Sequence, residues 1–211
     1  MEDTVFYLRS SHGNTGSNVM FHNKNGGYGT NLDKLEVIDF KQAEREIKHS
    51  SSSYFNMPLL KSAVDALSIS HIDHQDLDTD KQSFYIDDLY IIQITMRWDG
   101  NDIAFWEDSD STFDYGQATV MNYHDAMAVA ACNPNCVAWP KKYLDTICRR
   151  TFQAKNINVH TMIRKPGLKY LKPRKKKPTT GKTRGNCPTC GKITWDYNPY
   201  ENAYCSILCK P

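Results

Sequence analysis

Cys187, Cys190, Cys205 and Cys209 follow the spacing C-x2-C, fourteen residues, C-x3-C. Thiolates are soft anionic donors, and two close pairs joined by a loop can surround one ion tetrahedrally at about 2.3 Å per sulfur, the arrangement Zn2+ prefers. Pro188 and Gly191 permit the tight reversal that aims backbone amides at sulfur, a rubredoxin-like knuckle. Cys205 and Cys209, at i and i+4, would share one face of a helical turn. A closed four-thiolate site keeps no open coordination position, so the expected Zn2+ is structural. Two disulfides are the competing reading. Met1, Glu2, Asp3 and Thr4 lack the basic start and following apolar run of a secretory leader, which points to a reducing cytoplasm. Cys132, Cys136 and Cys148 are either a second clip completed by His124 or His160 or, the blander reading, buried thiols.

The charge of the chain is partitioned. Residues 1–159 carry 14 Lys/Arg against 22 Asp/Glu, a net of −8, whereas 160–186 carry ten basic residues and no acidic one. An acidic body is not drawn to phosphates. Lys172, Arg174, Lys175, Lys176 and Lys177, with Lys182 and Arg184 beyond, can neutralise several and release their counterions. Pro166, Gly167, Pro173, Pro178 and Gly181 make helix or strand unfavourable there, so 160–186 reads as an extended basic linker. Trp195 and Tyr197, with Tyr200 and Tyr204, lie between the thiol pairs. Exposed, they would stack on unpaired bases; turned inward, they are the only core so small a domain has.

Catalytic candidates are weaker. His71 and His74, followed by Asp76, Asp78 and Asp80, mix imidazoles and carboxylates as a metal-dependent hydrolase requires, but the run also reads as a solvated acidic loop. Arg9–Gly16 has the small residues of a phosphate cradle without the lysine that completes one, and reads as a long hairpin loop. No residue set is assigned a catalytic role, and the chain reads as non-enzymatic.

The elements that must position these residues fall into a repeated pattern. In the first copy, about 4–49, Val5–Arg9 and Asn18–His22 read as strands, Asn25–Gly29 as a turn, and Asp39 with Gln42 as the capping box of a helix. In the second, about 88–131, Tyr90–Trp98 and Asp102–Trp106 flank an Asp99-Gly100 hairpin turn, and Asn122 caps a helix. Helices are expected over Asn56–Leu67 and Pro140–Arg149. The fold class is therefore α+β: tandem β-β-α units forming a mainly antiparallel sheet with covering helices, body 1–159, linker 160–186 and zinc tail 187–211. No apolar run approaches the roughly 18 residues of a membrane helix.

Leu32-Asp-Lys-Leu, Val37-Ile-Asp-Phe and Gln42-Ala-Glu44 after a Gly-Tyr-Gly turn resemble the pattern G-Y-T-x-D-x-x-K-A followed by Y-T-x-E-E-A in small accessory proteins of tailed bacteriophages and prophages. The chain departs from it at Asn31 and Phe40, and the likeness covers about residues 4–48. It implies a viral origin in a host bacterial cytoplasm and supplies no catalytic residues.

These features lead to the expectation of a regulatory factor that binds nucleic acid, single-stranded or duplex, or a nucleic-acid-handling host machine such as a polymerase or nuclease. An inhibitor that docks on a host protein through the acidic body is the alternative, and the His71/His74 hydrolase accounts for least.

Overall fold

The structure, a computed structural model, describes residues 4–49, 56–108, 110–169, 181–197 and 204–210. The chain divides into two compact units, Met1–Leu171 and Lys172–Pro211.

The first unit is α+β, with antiparallel pairing throughout its described strands. Its first half runs β1 (Phe6–Thr15), β2 (Asn18–His22), β3 (Tyr28–Gly29), β4 (Val37–Ile38), α1 (Phe40–His49), β5 (Met57–Leu60), α2 (Lys61–Ala66) and β6 (Ile69–His71). Its second half repeats the order: β7 (Tyr90–Asp99), β8 (Asp102–Glu107), β9 (Asp110–Thr112), β10 (Val120–Met121), α3 (Tyr123–Cys132), β11 (Cys136–Pro140), α4 (Lys141–Ile147) and β12 (Arg149–Thr151). The pairings repeat as well. β1 takes β2, β4 and β5, and β7 takes β8, β10 and β11. The repeated unit is thus longer than the β-β-α pattern legible in sequence, because the strand, helix and strand after each long helix belong to it.

Local chemistry sets the helix starts. Asp39 Oδ1 accepts from the Gln42 amide at 2.7 Å while Gln42 Oε1 accepts from the Asp39 amide at 3.1 Å, a reciprocal capping box. Asn122 Oδ1 accepts from the Asp125 amide at 2.9 Å. The expected helix over Asn56–Leu67 is instead β5 followed by the short α2. Phe6–Arg9 pairs residue for residue with Met57–Leu60, and Pro58, which cannot donate to a ladder, sits in a strand that among the described residues pairs with β1 alone. Pro140–Arg149 is likewise trimmed to α4, with Pro140 paired to Tyr90 and Arg149 already in β12. Arg9–Gly16 is no loop either: β1 continues to Thr15 through an irregularity between Arg9 and Asn14.

The halves are joined by exchange of their last segments. β6 pairs with β12, Ser70 opposite Arg150. Beyond β12, the Phe152 carbonyl accepts from the Val19 amide of β2 at 2.9 Å. Beyond β6, the Ile72 carbonyl accepts from the Ile103 amide of β8 at 3.1 Å. Such reciprocal contacts mark an approximate internal two-fold. The hairpin turns meet back to back on it: Gly16 (φ +59°) and Gly100 (φ +66°) approach so closely that a Cβ on Gly100 would lie 2.6 Å from the Gly16 amide nitrogen.

At this junction Asp102, 1% exposed, accepts from Arg149 Nη2, Asn18 Nδ2 and His71 Nδ1, each at 2.5 Å, and Arg149 Nη1 lies 3.4 Å from Asp73. Apolar residues pack on either side. Phe6, Phe21, Leu59, Val64 and Phe152 fill the first half, and Ile91, Ile103, Phe105, Trp139 and Leu144 the second.

The domain boundary also moves. The basic linker expected from His160 begins later, because Met162 and Ile163, both 0% exposed, and Leu168 join the first core from a helical turn over His160–Arg164. Arg164 in that turn and Lys165 just after it stay exposed, so these two of the ten basic charges lie on the outer side of an anchored segment.

Asp102→Ala removes the acceptor shared by three buried donors and strands the Arg149 guanidinium. Urea denaturation should show a loss of about 3–5 kcal/mol, whereas Asp33→Asn, which breaks an exposed pair with Arg150, should cost less than about 1 kcal/mol. Gly100→Ala should cost more than about 1 kcal/mol in the same measurement.

Candidate metal centre and aromatic face

The second unit is built on a ribbon, β13 (Thr183–Asn186) and β14 (Ile193–Asp196), paired Thr183 to Asp196, Arg184 to Trp195, Gly185 to Thr194 and Asn186 to Ile193. The turn at its end is the knuckle expected from Pro188 and Gly191. The Cys187 amide donates to the Lys192 carbonyl at 2.8 Å, and the Gly191 amide to the Cys187 carbonyl at 2.8 Å. Gly191 takes φ +72°, the left-handed conformation that the reversal requires. Cys205 and Cys209 come from the far side of the intervening loop. They are not on a regular helix: Cys205 precedes a short turn over Ile207–Cys209, in which the Cys209 amide donates to the Ser206 carbonyl at 3.1 Å. The Thr189 hydroxyl, donating to the Cys209 carbonyl, ties the knuckle to this turn.

The four sulfurs lie within 4.8 Å of one another. Cys190 and Cys205 are 3.3 Å apart and Cys205 and Cys209 3.5 Å, well beyond the about 2.05 Å of a disulfide and near the about 3.8 Å edge of a tetrahedral four-thiolate site. All seven cysteines are free thiols. Amide donation from Cys205, Cys190 and Thr189 draws the Cys187 thiol down to about 6, and hydrogen bonds shared with the Cys190 and Cys209 sulfurs push Cys205 up to about 12. The donor set, its convergence and the amides aimed at sulfur fit a bound metal ion.

Among the described residues of the first unit, Cys132, Cys136 and Cys148 form no metal-ligating group with one another or with a histidine. Cys136 is buried in β11, Cys132 ends α3 exposed, and burial raises the Cys148 thiol after α4. Among the described residues, the C-terminal cysteines are the one group of His, Cys, Asp or Glu placed to share an ion. His71, 0% exposed, is committed to Asp102, while His74 is exposed, its Nδ1 3.2 Å from the Asn101 carbonyl and its ring against Trp98. Asp73 and Asp78 cap short turns, accepting from the Gln75 and Asp80 amides.

Lys172, Arg174, Lys175, Lys176 and Lys177 lie outside the described residues. Lys182 and Arg184 are exposed, and the ribbon brings them to the aromatics. Arg184 is in register with Trp195, and Lys182 Nζ stands 5.0 Å from the Tyr197 ring centroid. Trp195 is 58% and Tyr197 69% exposed, so neither serves as core. Ile193, also exposed, extends this face, because side chains alternate along a strand.

One surface was not singled out in sequence. Between the two halves, Tyr85 and Ile86, 65% and 63% exposed, sit on a turn pinned by the fully buried Tyr90. The Tyr90 hydroxyl accepts from the Tyr85 amide at 2.7 Å and donates to the Tyr85 carbonyl at 2.9 Å, and the Asp88 amide closes the turn onto that carbonyl at 3.1 Å. The signal was an apolar triplet, Phe84-Tyr-Ile86, between the repeat copies and followed by Asp87 and Asp88.

No helix among the described residues is long and apolar enough to cross a membrane. The chain matches no model of a known protein family, no curated protein and no solved structure.

Cys187→Ser should lower the bound metal and unfold the C-terminal unit while the thermal transition of the first unit stays in place, as atomic absorption and calorimetry would read. Protons compete with metal for thiolates, so acidification should release the ion from the native protein and raising the pH should restore it.

Proposed function

We propose that this chain is a non-enzymatic regulatory factor of bacteriophage origin, acting in the host bacterial cytoplasm, whose C-terminal unit folds around a structural Zn2+ and binds nucleic acid. Zinc is favoured because four converging thiols make a soft, closed, tetrahedral donor set with no position left for substrate. The viral origin rests on the accessory-protein resemblance of the N-terminal module.

The observation that carries the reading is the ribbon face. Trp195 and Tyr197 stand exposed beside Arg184 and Lys182, next in sequence to the basic run 172–177. Exposed large aromatics are unfavourable on an unpartnered surface, and with cations at their edges they suit a polyanion that also offers flat π-faces. The acidic first unit would not add to such affinity, which favours a task for it on a protein.

A second reading is favoured by the pinned turn at Tyr85–Asp88. It holds exposed apolar side chains in place next to Asp87 and Asp88, so the first unit would dock on a host protein through an apolar contact rimmed by basic groups.

Fluorescence anisotropy of a labelled oligonucleotide with the zinc-loaded chain across a salt series tests the first reading. Affinity should fall as a power of salt concentration, and Lys182→Ala with Arg184→Ala should weaken binding and flatten the log–log slope by about 1–2. Affinity unchanged by salt would remove nucleic acid from the proposal.

A further inference from the structure

Resting on the nucleic-acid reading, the ribbon geometry points to a narrower ligand: we infer that Trp195 and Tyr197 form a stacking platform for unpaired bases and that the C-terminal unit discriminates single strands from duplex.

The argument begins with strand spacing. Trp195 lies in β14 and Tyr197 is the bend residue directly after the strand's last residue, Asp196, so extended backbone at Asp196 separates the two by about 6.8 Å. Stacked bases in a duplex strand advance about 3.4 Å per nucleotide. Rings at twice that interval can each take a base only if neighbouring bases have parted from one another. A single strand does this at little cost, whereas a duplex must be unpaired first.

Edge chemistry leads to the same ligand. A two-stranded ribbon is thin enough for the major groove of a duplex, but readout there needs hydrogen-bonding side chains aimed at base edges. The outward face of this ribbon presents Ile193 and Trp195, with Tyr197 exposed just beyond its end and Arg184 the one guanidinium among its described residues. Against a duplex these apolar rings would meet polar base edges; against splayed bases they meet π-faces.

The cations are placed for the backbone of the same strand. Lys182 Nζ stands 5.0 Å from the centroid of the Tyr197 ring, which is 69% exposed and so offers most of its surface to a base. Arg184, directly across the ribbon from Trp195, reaches the same edge. Asp196, which alternates to the opposite face, is turned from the phosphates. Stacking of this kind tolerates every base, since each has a π-face, so the platform reads strandedness and not sequence.

The test uses the full, zinc-loaded chain and three probes at one fixed salt concentration: oligothymidylate of about twelve nucleotides, an abasic strand of equal phosphate count, and a duplex of equal length. Oligothymidylate should bind at least about tenfold tighter than either other probe. Trp195→Ala with Tyr197→Ala should reduce it to the abasic level with metal content and salt slope unchanged, and Trp195→Phe with Tyr197→Phe should retain most of the preference. Equal affinity for oligothymidylate and abasic strand, duplex binding as tight as single strand, or a preference that survives the double alanine variant would each overturn the stacking platform. Salt-dependent binding of all three probes would, in that event, leave the nucleic-acid reading standing. Binding of none would overturn both.

Discussion

A single buried carboxylate, Asp102, holds the first unit in its arrangement. It belongs to the second half, and its partners come from both: Asn18 and His71 from the first, Arg149 from the second. Removed from water, a carboxylate is tolerable only if its lone pairs are occupied, so the network is all or nothing. The exchanged terminal segments have no other place to run, because their backbone groups complete the hairpins β1–β2 and β7–β8 across the junction. Neither half buries its own core edge without the other.

The approximate two-fold is broken where the charges sit. The position equivalent to Asp102 is Asn18, that equivalent to His71 is Thr151, and that equivalent to Asp73 is Gln153. On one side, Asp73 bridges to Asp102 with Arg149 between them; on the other, Gln153 bridges to Asn18 without charge. A symmetric apolar junction would accept either half in either place. One ionic cluster, present once, defines which segment lies where. Within that cluster His71 Nδ1 is engaged by Asp102.

The C-terminal unit meets the opposite physical problem. So small a chain cannot bury enough apolar surface to fold by that means, and Trp195 and Tyr197, which might have supplied a core, are exposed. Four converging thiols on a knuckle and a turn are placed to substitute for that core once they share an ion, while Trp195 and Tyr197 face solvent.

Sequence alone determined what acts over a few residues. The cysteine spacing, the Asp39–Gln42 box, the Asn122 cap and the Asp99-Gly100 turn each rest on neighbours in the chain, and all were legible. The shared Lys61-x-x-x-Asp65 and Lys141-x-x-x-Asp145 pattern would have revealed the full length of the repeat, but it was hidden by reading both stretches as helix from their first residue. That Met57–Leu60 is a strand, that Met162 and Ile163 are core within a basic stretch, that His71 is buried and Trp195 exposed were decided only in three dimensions. Strand pairing and burial depend on partners scores of residues away, and no local propensity encodes which partner arrives.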